Sequence, residues 1–150
     1  MTAKTIYYTA LGGASAVGAV IANALGGWDT GLQTLVILMA VDYVTGVLCA
    51  LVWKKSPKST NGTFESNASF RGLLRKMAIL LCVLIACRGD VYTGTELARD
   101  AVILFFIAND GLSIVENLGI MGVPIPPAIQ NAFAALKGKA ETTPENKKNP

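Results

Sequence analysis

The strongest constraint on this chain is a pair of adjacent stretches from which charge is almost absent. Lys4 and Asp29 enclose 24 uncharged residues, and positions 30–53 form a second stretch of 24 interrupted only by Asp42. At about 1.5 Å per residue, a helix of either length reaches across a hydrocarbon core of about 30 Å. A soluble helix alternates an apolar stripe with charged positions, and neither stretch does so. Of the 150 residues 15% are charged and 52% hydrophobic, where soluble domains carry about a quarter charged residues. The expected fold is all-α, an integral membrane helical protein with three or four transmembrane helices.

Charge placement sets the expected topology. Lys54, Lys55, Lys58, Arg71, Arg75 and Lys76 lie between the second and third apolar segments, opposed only by Glu65. Short basic loops stay in the cytoplasm, so this connection is read as cytoplasmic, and its position between membrane segments makes nucleic acid an unsuitable partner. Trp28, after Gly26 and Gly27, marks a tight outer hairpin. Trp53, just before Lys54 and Lys55, marks the cytoplasmic end of the second span. The N-terminus is then cytoplasmic, and the first stretch, too long for a signal h-region, is read as a retained helix.

The expected organisation is a membrane domain over 1–122, with spans at about 5–27, 30–53, 73–93 and 97–121 joined across a polar loop at 54–70. The third span is the weak one. Its uncharged part, 77–87, has 11 residues and crosses only by extending toward Leu73 or past Arg88 and Asp90. Arg88 near Asp90, and Arg99 beside Asp100, are expected to balance charge locally. Pro124, Pro126 and Pro127 end the fourth segment and start an interfacial amphipathic helix at 123–137. There Ile129, Ala132, Phe133 and Leu136 share a face, with Lys137 and Lys139 placed to meet anionic headgroups of the membrane lipids. Positions 138–150 are too polar to bury and are expected to form a disordered cytoplasmic tail.

Several chemistries are poor fits. The chain has no histidine, which removes histidine acid/base catalysis, Ser-His and Cys-His nucleophile pairs and histidine metal sites. Cys49, Cys82 and Cys87 sit in apolar stretches without CxxC spacing and read as small hydrophobes. Asp90, Asp100, Asp110 and Glu116 lack calcium-loop spacing, and Asp100 and Asp110 stand about 15 Å apart along a helix. No catalytic residue, cofactor or metal is expected, and the chain is not read as an enzyme.

The candidates are instead small and polar residues inside the apolar segments. In the first span Gly12 with Ala16, and Gly18 with Ala22, form small-xxx-small pairs that let helices approach closely, either within one subunit or between copies. Asp42, at the middle of the second span, shares its face with Thr45 and Gly46. An ionised carboxylate there costs a few kcal/mol unless paired or wet, so it is either a pathway position or a structural hydrogen-bond partner. In the fourth segment Asn109, Asp110, Ser113, Glu116 and Asn117 fall within an arc of about 120°. Such a stripe faces a lumen, faces protein in a bundle, or is the wet face of a surface helix.

Positions 108–119 read ANDGLSIVENLG and 121–126 read MGVPIP. With Trp28-Asp29 after the double glycine, Asp42-Tyr43-Val44-Thr45-Gly46 in the second span and Arg75-Lys76 before the third, the chain resembles the toxin secretion/phage lysis holin family over about residues 20–137. It departs from the family pattern at Asp110, where glutamate is common. The resemblance implies a small phage or prophage protein of the host bacterial cytoplasmic membrane. Such a protein forms homo-oligomers and opens lesions that release an endolysin or toxin, causing cytolysis. On that reading Asp110, Ser113, Glu116 and Asn117 line the lesion or join subunits, and Asp42 tunes assembly. The alternative is a small multispan ion channel or transporter subunit using Asp42. A membrane scaffold without permeability is the third reading.

Overall fold

The computed structural model describes residues 2–53 and 66–141. Among them every regular element is helical, as expected, and there is no strand. Helix α1 spans Ala3–Ala24, α2 Thr30–Leu48 with a π-helical turn Cys49–Trp53 at its end, α3 Ser66–Thr93, α4 Leu97–Ile120 and α5 Pro127–Glu141. Three of these are long and apolar enough to cross a membrane: α1, α2 with its π turn (Thr30–Trp53), and α4. Helix α3, with 28 residues, is the longest at about 42 Å, though charged residues lie toward both of its ends.

Helices α2, α3 and α4 pack together through stripes at three- and four-residue spacing. Leu32, Leu35 and Met39 of α2, Ile79 and Val83 of α3 and Ile103 of α4 form one buried cluster, closed by Leu25 from the turn before α2. Helix α5 doubles back along α4. The Phe133 ring occupies the space above Gly111, where a Cβ would overlap it. One turn on, the Lys137 ammonium lies 5.7 Å from the centre of the Phe105 ring. The face carrying Phe133 is thus used against α4 within the protomer.

The ends of the bundle are fixed by polar contacts that match the expected local balancing at Arg99 and Asp100 and depart from it at Arg88 and Asp90. Arg88 Nη2 donates to the Ala24 carbonyl at 3.0 Å rather than to Asp90. Asp90 instead accepts from the backbone N–H groups of Ala98 (3.1 Å) and Arg99 (2.8 Å) and from Thr95 Oγ1 (2.6 Å). It therefore satisfies donors in the first turn of α4 that have no partner within the helix. Arg99 reaches past Asp100 (3.4 Å) to Asp29 at 2.7 Å, and its Nε donates to the Leu25 carbonyl at 2.6 Å. Asp29 also caps α2, accepting from Leu32 N–H at 2.8 Å. The turn between α1 and α2 needs its glycines: Gly26 and Gly27 have φ of +94° and +107°, and a Cβ on Gly26 would lie 2.6 Å from Arg99 Nε.

Two boundaries move relative to the sequence reading. Positions 66–70, read as the end of a polar loop, are the first turns of α3, and α5 continues past 137 to Glu141. The rest of that loop and positions 142–150 of the tail lie outside the described residues. Helix α1 contributes no buried residue.

Two outcomes follow. Gly111→Ala is expected to cost about 1–3 kcal/mol by forcing Phe133 off α4, read as a lower Tm of the detergent-solubilised protein. The Arg99 guanidinium holds the Asp29 carboxyl below the usual aspartate range. A depressed carboxylate stabilises the fold above its unfolded value of about 3.9 and loses that contribution as pH falls through the lower folded value. The Tm of the protein should therefore carry an acid-side step that is missing in Asp29→Asn.

Candidate functional site

The buried stripe of α2 does not end with Met39. The same spacing continues through Asp42 and Thr45 to Cys49, all buried, so the periodicity that turns leucines inward also turns a carboxylate inward. Helix α3 repeats the pattern in reverse: Lys76, Ile79, Val83, Cys87 and Asp90 are buried at intervals of three and four. Helix α4 adds Ile103, Asp110 and Asn117. Three apolar stripes therefore turn polar at one level, and their polar ends meet.

Lys76 is the centre of that meeting. Its Nζ lies 2.8 Å from Asp42 Oδ2 and 2.6 Å from Asp110 Oδ2, so one ammonium from α3 joins carboxylates from α2 and α4. The Asn117 amide donates to Thr45 Oγ1 at 3.0 Å and reaches Asp42 Oδ1 at 3.5 Å. Thr45 Oγ1 in turn lies 2.9 Å from the Val41 carbonyl and 3.1 Å from that of Asp42. The Cys49 thiol donates to the Asn117 carbonyl at 3.3 Å. Asp42 and Asp110 are 3% and 2% exposed, which leaves their charge to be answered by protein rather than by water. Asp42 lies about 18 Å from the start of α2 and Asp110 about 20 Å from the start of α4, near the middle of each helix.

An ammonium between two carboxylates answers the cost of burying each charge, and removing one partner exposes that cost in full. Chemically the cluster is a clamp. It holds three helices in one rotational setting, with Asp42 buried within it.

The structure divides the predicted residues into three groups. Asp42, Thr45, Asp110 and Asn117 are brought together, with Gly46 half-buried beside them. Asn109 and Glu116 are exposed, and Ser113 is intermediate. The division follows helical rotation. Measured from Asn109 at about 100° per residue, Asp110 and Asn117 lie at about 100° and 80°, Glu116 at about 340° and Ser113 at about 40°. One edge of the arc faces the bundle, the other faces outward, and Ser113 sits on the boundary. On α1, Gly12, Ala16 and Gly18 are exposed and Ala22 is half-buried. Nothing lies within 4 Å of a Cβ placed on Gly12 or Gly18, so packing within the subunit does not use this face.

Lys76 is the residue that sequence reasoning missed. It reads as one more cytoplasmic charge because Arg71 and Arg75 precede it. The overlooked signal is its spacing: 76, 79, 83, 87 and 90 form one stripe whose middle is apolar.

Comparison with known proteins gives a consistent picture. The bacteriophage holin family matches residues 19–138. An uncharacterised 14.9 kDa protein of Clostridium perfringens is 35% identical over 129 residues, covering 85% of this chain and 92% of its own. An uncharacterised protein of Listeria innocua is 34% identical over 124 residues, covering 82% and 83%. A probable holin of Bacillus phage phi105 is 33% identical over 107 residues, covering 71% and 73%. No solved structure matches the chain.

The clamp makes a strong prediction about stability. Lys76→Met should destabilise the detergent-solubilised protein by about 3–5 kcal/mol, because two buried carboxylates lose the ammonium they share. Adding Asp42→Asn and Asp110→Asn should recover most of the loss. Thermal unfolding of the single and triple variants measures both, and an unrecovered triple variant would show that Lys76 acts by packing alone.

Proposed function

This chain belongs to the bacteriophage holin family, a family that is not one of enzymes, and from that premise we propose that it permeabilises a bacterial cytoplasmic membrane by assembling into lesions. Its cargo on this reading is an endolysin or secreted toxin, released without direct contact. Helix α3 crosses beside α2 and α4, because Lys76 must share the depth of Asp42 and Asp110. That gives four crossings with the N-terminus cytoplasmic. The basic segment after Trp53 stays on the same side.

The observation that carries the reading is the outward edge of α4. Asn109 at mid-helix and Glu116 about two turns later are exposed on a helix apolar enough to span. A carboxylate held against lipid costs a few kcal/mol, so this edge favours water or protein as its neighbour. A lesion supplies one or both. Asp110 and Asn117 hold the protomer together on this reading, while Asn109, Ser113 and Glu116 serve assembly. A channel using Asp42 requires that carboxylate to meet a water path. With Lys76 at 2.8 Å and Asn117 at 3.5 Å, it serves better as a structural acceptor.

The test follows membrane potential and escape of an endolysin-sized cytoplasmic protein in one bacterial culture as expression rises. Abrupt depolarisation with protein escape, after a delay, is the expected result. The combined Asn109→Leu and Glu116→Leu variant should lengthen the delay or abolish escape while retaining wild-type Tm. Graded ion flux with no protein escape at any expression level would sink the proposal.

A further inference from the structure

Among the described residues, helix α1 is tied to the rest of the protomer at its outer end. The Ala24 carbonyl accepts from Arg88 and the Leu25 carbonyl from Arg99, with Gly26 packed against the Arg99 side chain. Arg99 also holds Asp29 on the far side of the turn. Contacts on both flanks thus fix the direction in which α1 leaves, and it leaves without burying a single residue. A membrane helix of 22 residues with a polar face then needs a partner outside its own bundle.

The exposed edge of α4 has the matching register. Arg99 and Leu25 define a common level, because they are joined by a hydrogen bond of 2.6 Å. Asn109 lies ten residues beyond Arg99, and Ser15 lies ten before Leu25. Glu116 lies seventeen beyond, and Tyr8 seventeen before. On the four-crossing reading the two helices run in opposite directions, and each rises about 1.5 Å per residue, so each pair falls at a similar depth. Lys4, the one charged residue of α1, is one turn below Tyr8, within reach of Glu116 for a lysine side chain. Lys4, Tyr8 and Ser15 fall within about 40° of one another around α1, as Asn109 and Glu116 fall within about 20° around α4. All five are exposed, and neither Lys4 nor Glu116 has an ion-pair partner among the described residues.

We propose that α1 of one copy docks antiparallel on the exposed Asn109–Glu116 edge of α4 in a neighbouring copy, with Ser15 opposite Asn109 and Lys4 paired to Glu116. The docked surfaces differ, so each protomer offers a helix to one neighbour and an edge to another. Head-to-tail contact of this kind closes into rings or continues as arcs of variable number. The small residues of α1 allow close approach to the edge but do not select it. Selection comes from the charge pair and the shared seven-residue spacing. The proposal deepens the lesion reading and rests on it only in requiring several copies in one membrane.

The test is disulfide cross-linking in bacterial membranes at expression below the lytic level, with Cys49, Cys82 and Cys87 replaced by alanine. One tagged copy carries Ser15→Cys and a differently tagged copy carries Asn109→Cys. Oxidation should yield a dimer containing both tags, and Val17→Cys on the opposite side of α1 should not. Lys4→Glu or Glu116→Lys alone should lower the dimer yield several-fold, and the two together should restore it. Linkage formed only within a single chain carrying both cysteines, equal linkage from Val17→Cys, absence of linkage, or failure of the charge swap to restore it would each overturn the proposal. The readout is independent of leakage. Escape of cytoplasmic protein without cross-linking removes this surface and leaves the lesion reading intact, whereas cross-linking without escape at any expression level does the reverse.

Discussion

A single lysine sets the geometry of three helices. Asp42 and Asp110 belong to helices apolar enough to span a membrane, where an unanswered carboxylate is unfavourable by several kcal/mol. Lys76 answers both, at 2.8 and 2.6 Å. Because the ammonium is one point, α2 and α4 must present their carboxylates to the same place, which fixes their depth and rotation together. The apolar stripes then follow: Leu32, Leu35, Met39, Ile79, Val83 and Ile103 face one another because they share faces with the ionic groups. The rotation that puts Asp110 and Asn117 inside also puts Asn109 and Glu116 outside.

A second polar network closes the other end of the bundle. Asp90 caps α4, Arg99 bridges to Asp29 and the Leu25 carbonyl, and Arg88 holds the end of α1. The two networks divide the work. The inner cluster sets how α2, α3 and α4 face one another, while the outer one sets where α1 begins and in which direction it departs. With both ends clamped, the freedom left to the protomer lies in α1 and in whatever meets the outward edge of α4.

Much of this was legible in the sequence, for physical reasons that also mark where legibility ended. Two 24-residue stretches free of charge, or nearly so, favour membrane helices, and the structure has α1 at Ala3–Ala24 and α2 with its π turn at Thr30–Trp53. Asp42 and the polar arc of α4 were visible because a polar residue among apolar ones stands out. Lys76 was not, because a lysine next to Arg71 and Arg75 serves a topology argument equally well, and only the packing of α3 shows that it alone turns inward. The full length of α3 was less legible: charges at both ends of its 11-residue apolar centre led to an expected span of about 73–93, whereas the helix already begins at Ser66. Nor does an arc of about 120° say which of its edges meets a neighbour; that depends on where Lys76 stands.

If the protein assembles into lesions as proposed, the placement of strong and weak contacts bears on their timing. Breaking a buried ionic cluster costs about 3–5 kcal/mol, whereas polar contacts between membrane helices contribute about 1 kcal/mol or less each. Had Asp42, Lys76 and Asp110 met only between copies, each newly inserted protomer would hold unanswered charges in lipid and would associate at once. Satisfied inside the protomer, they let it accumulate as a complete unit. On the proposed reading, the groups left outside, Asn109, Glu116 and the face of α1, supply contacts between copies that are individually weak. Many such contacts formed together would hold an array once density is high. On that reading a steep dependence on copy number follows from which edge of α4 faces inward, and that edge is set by the pairing of Asp110 with Lys76.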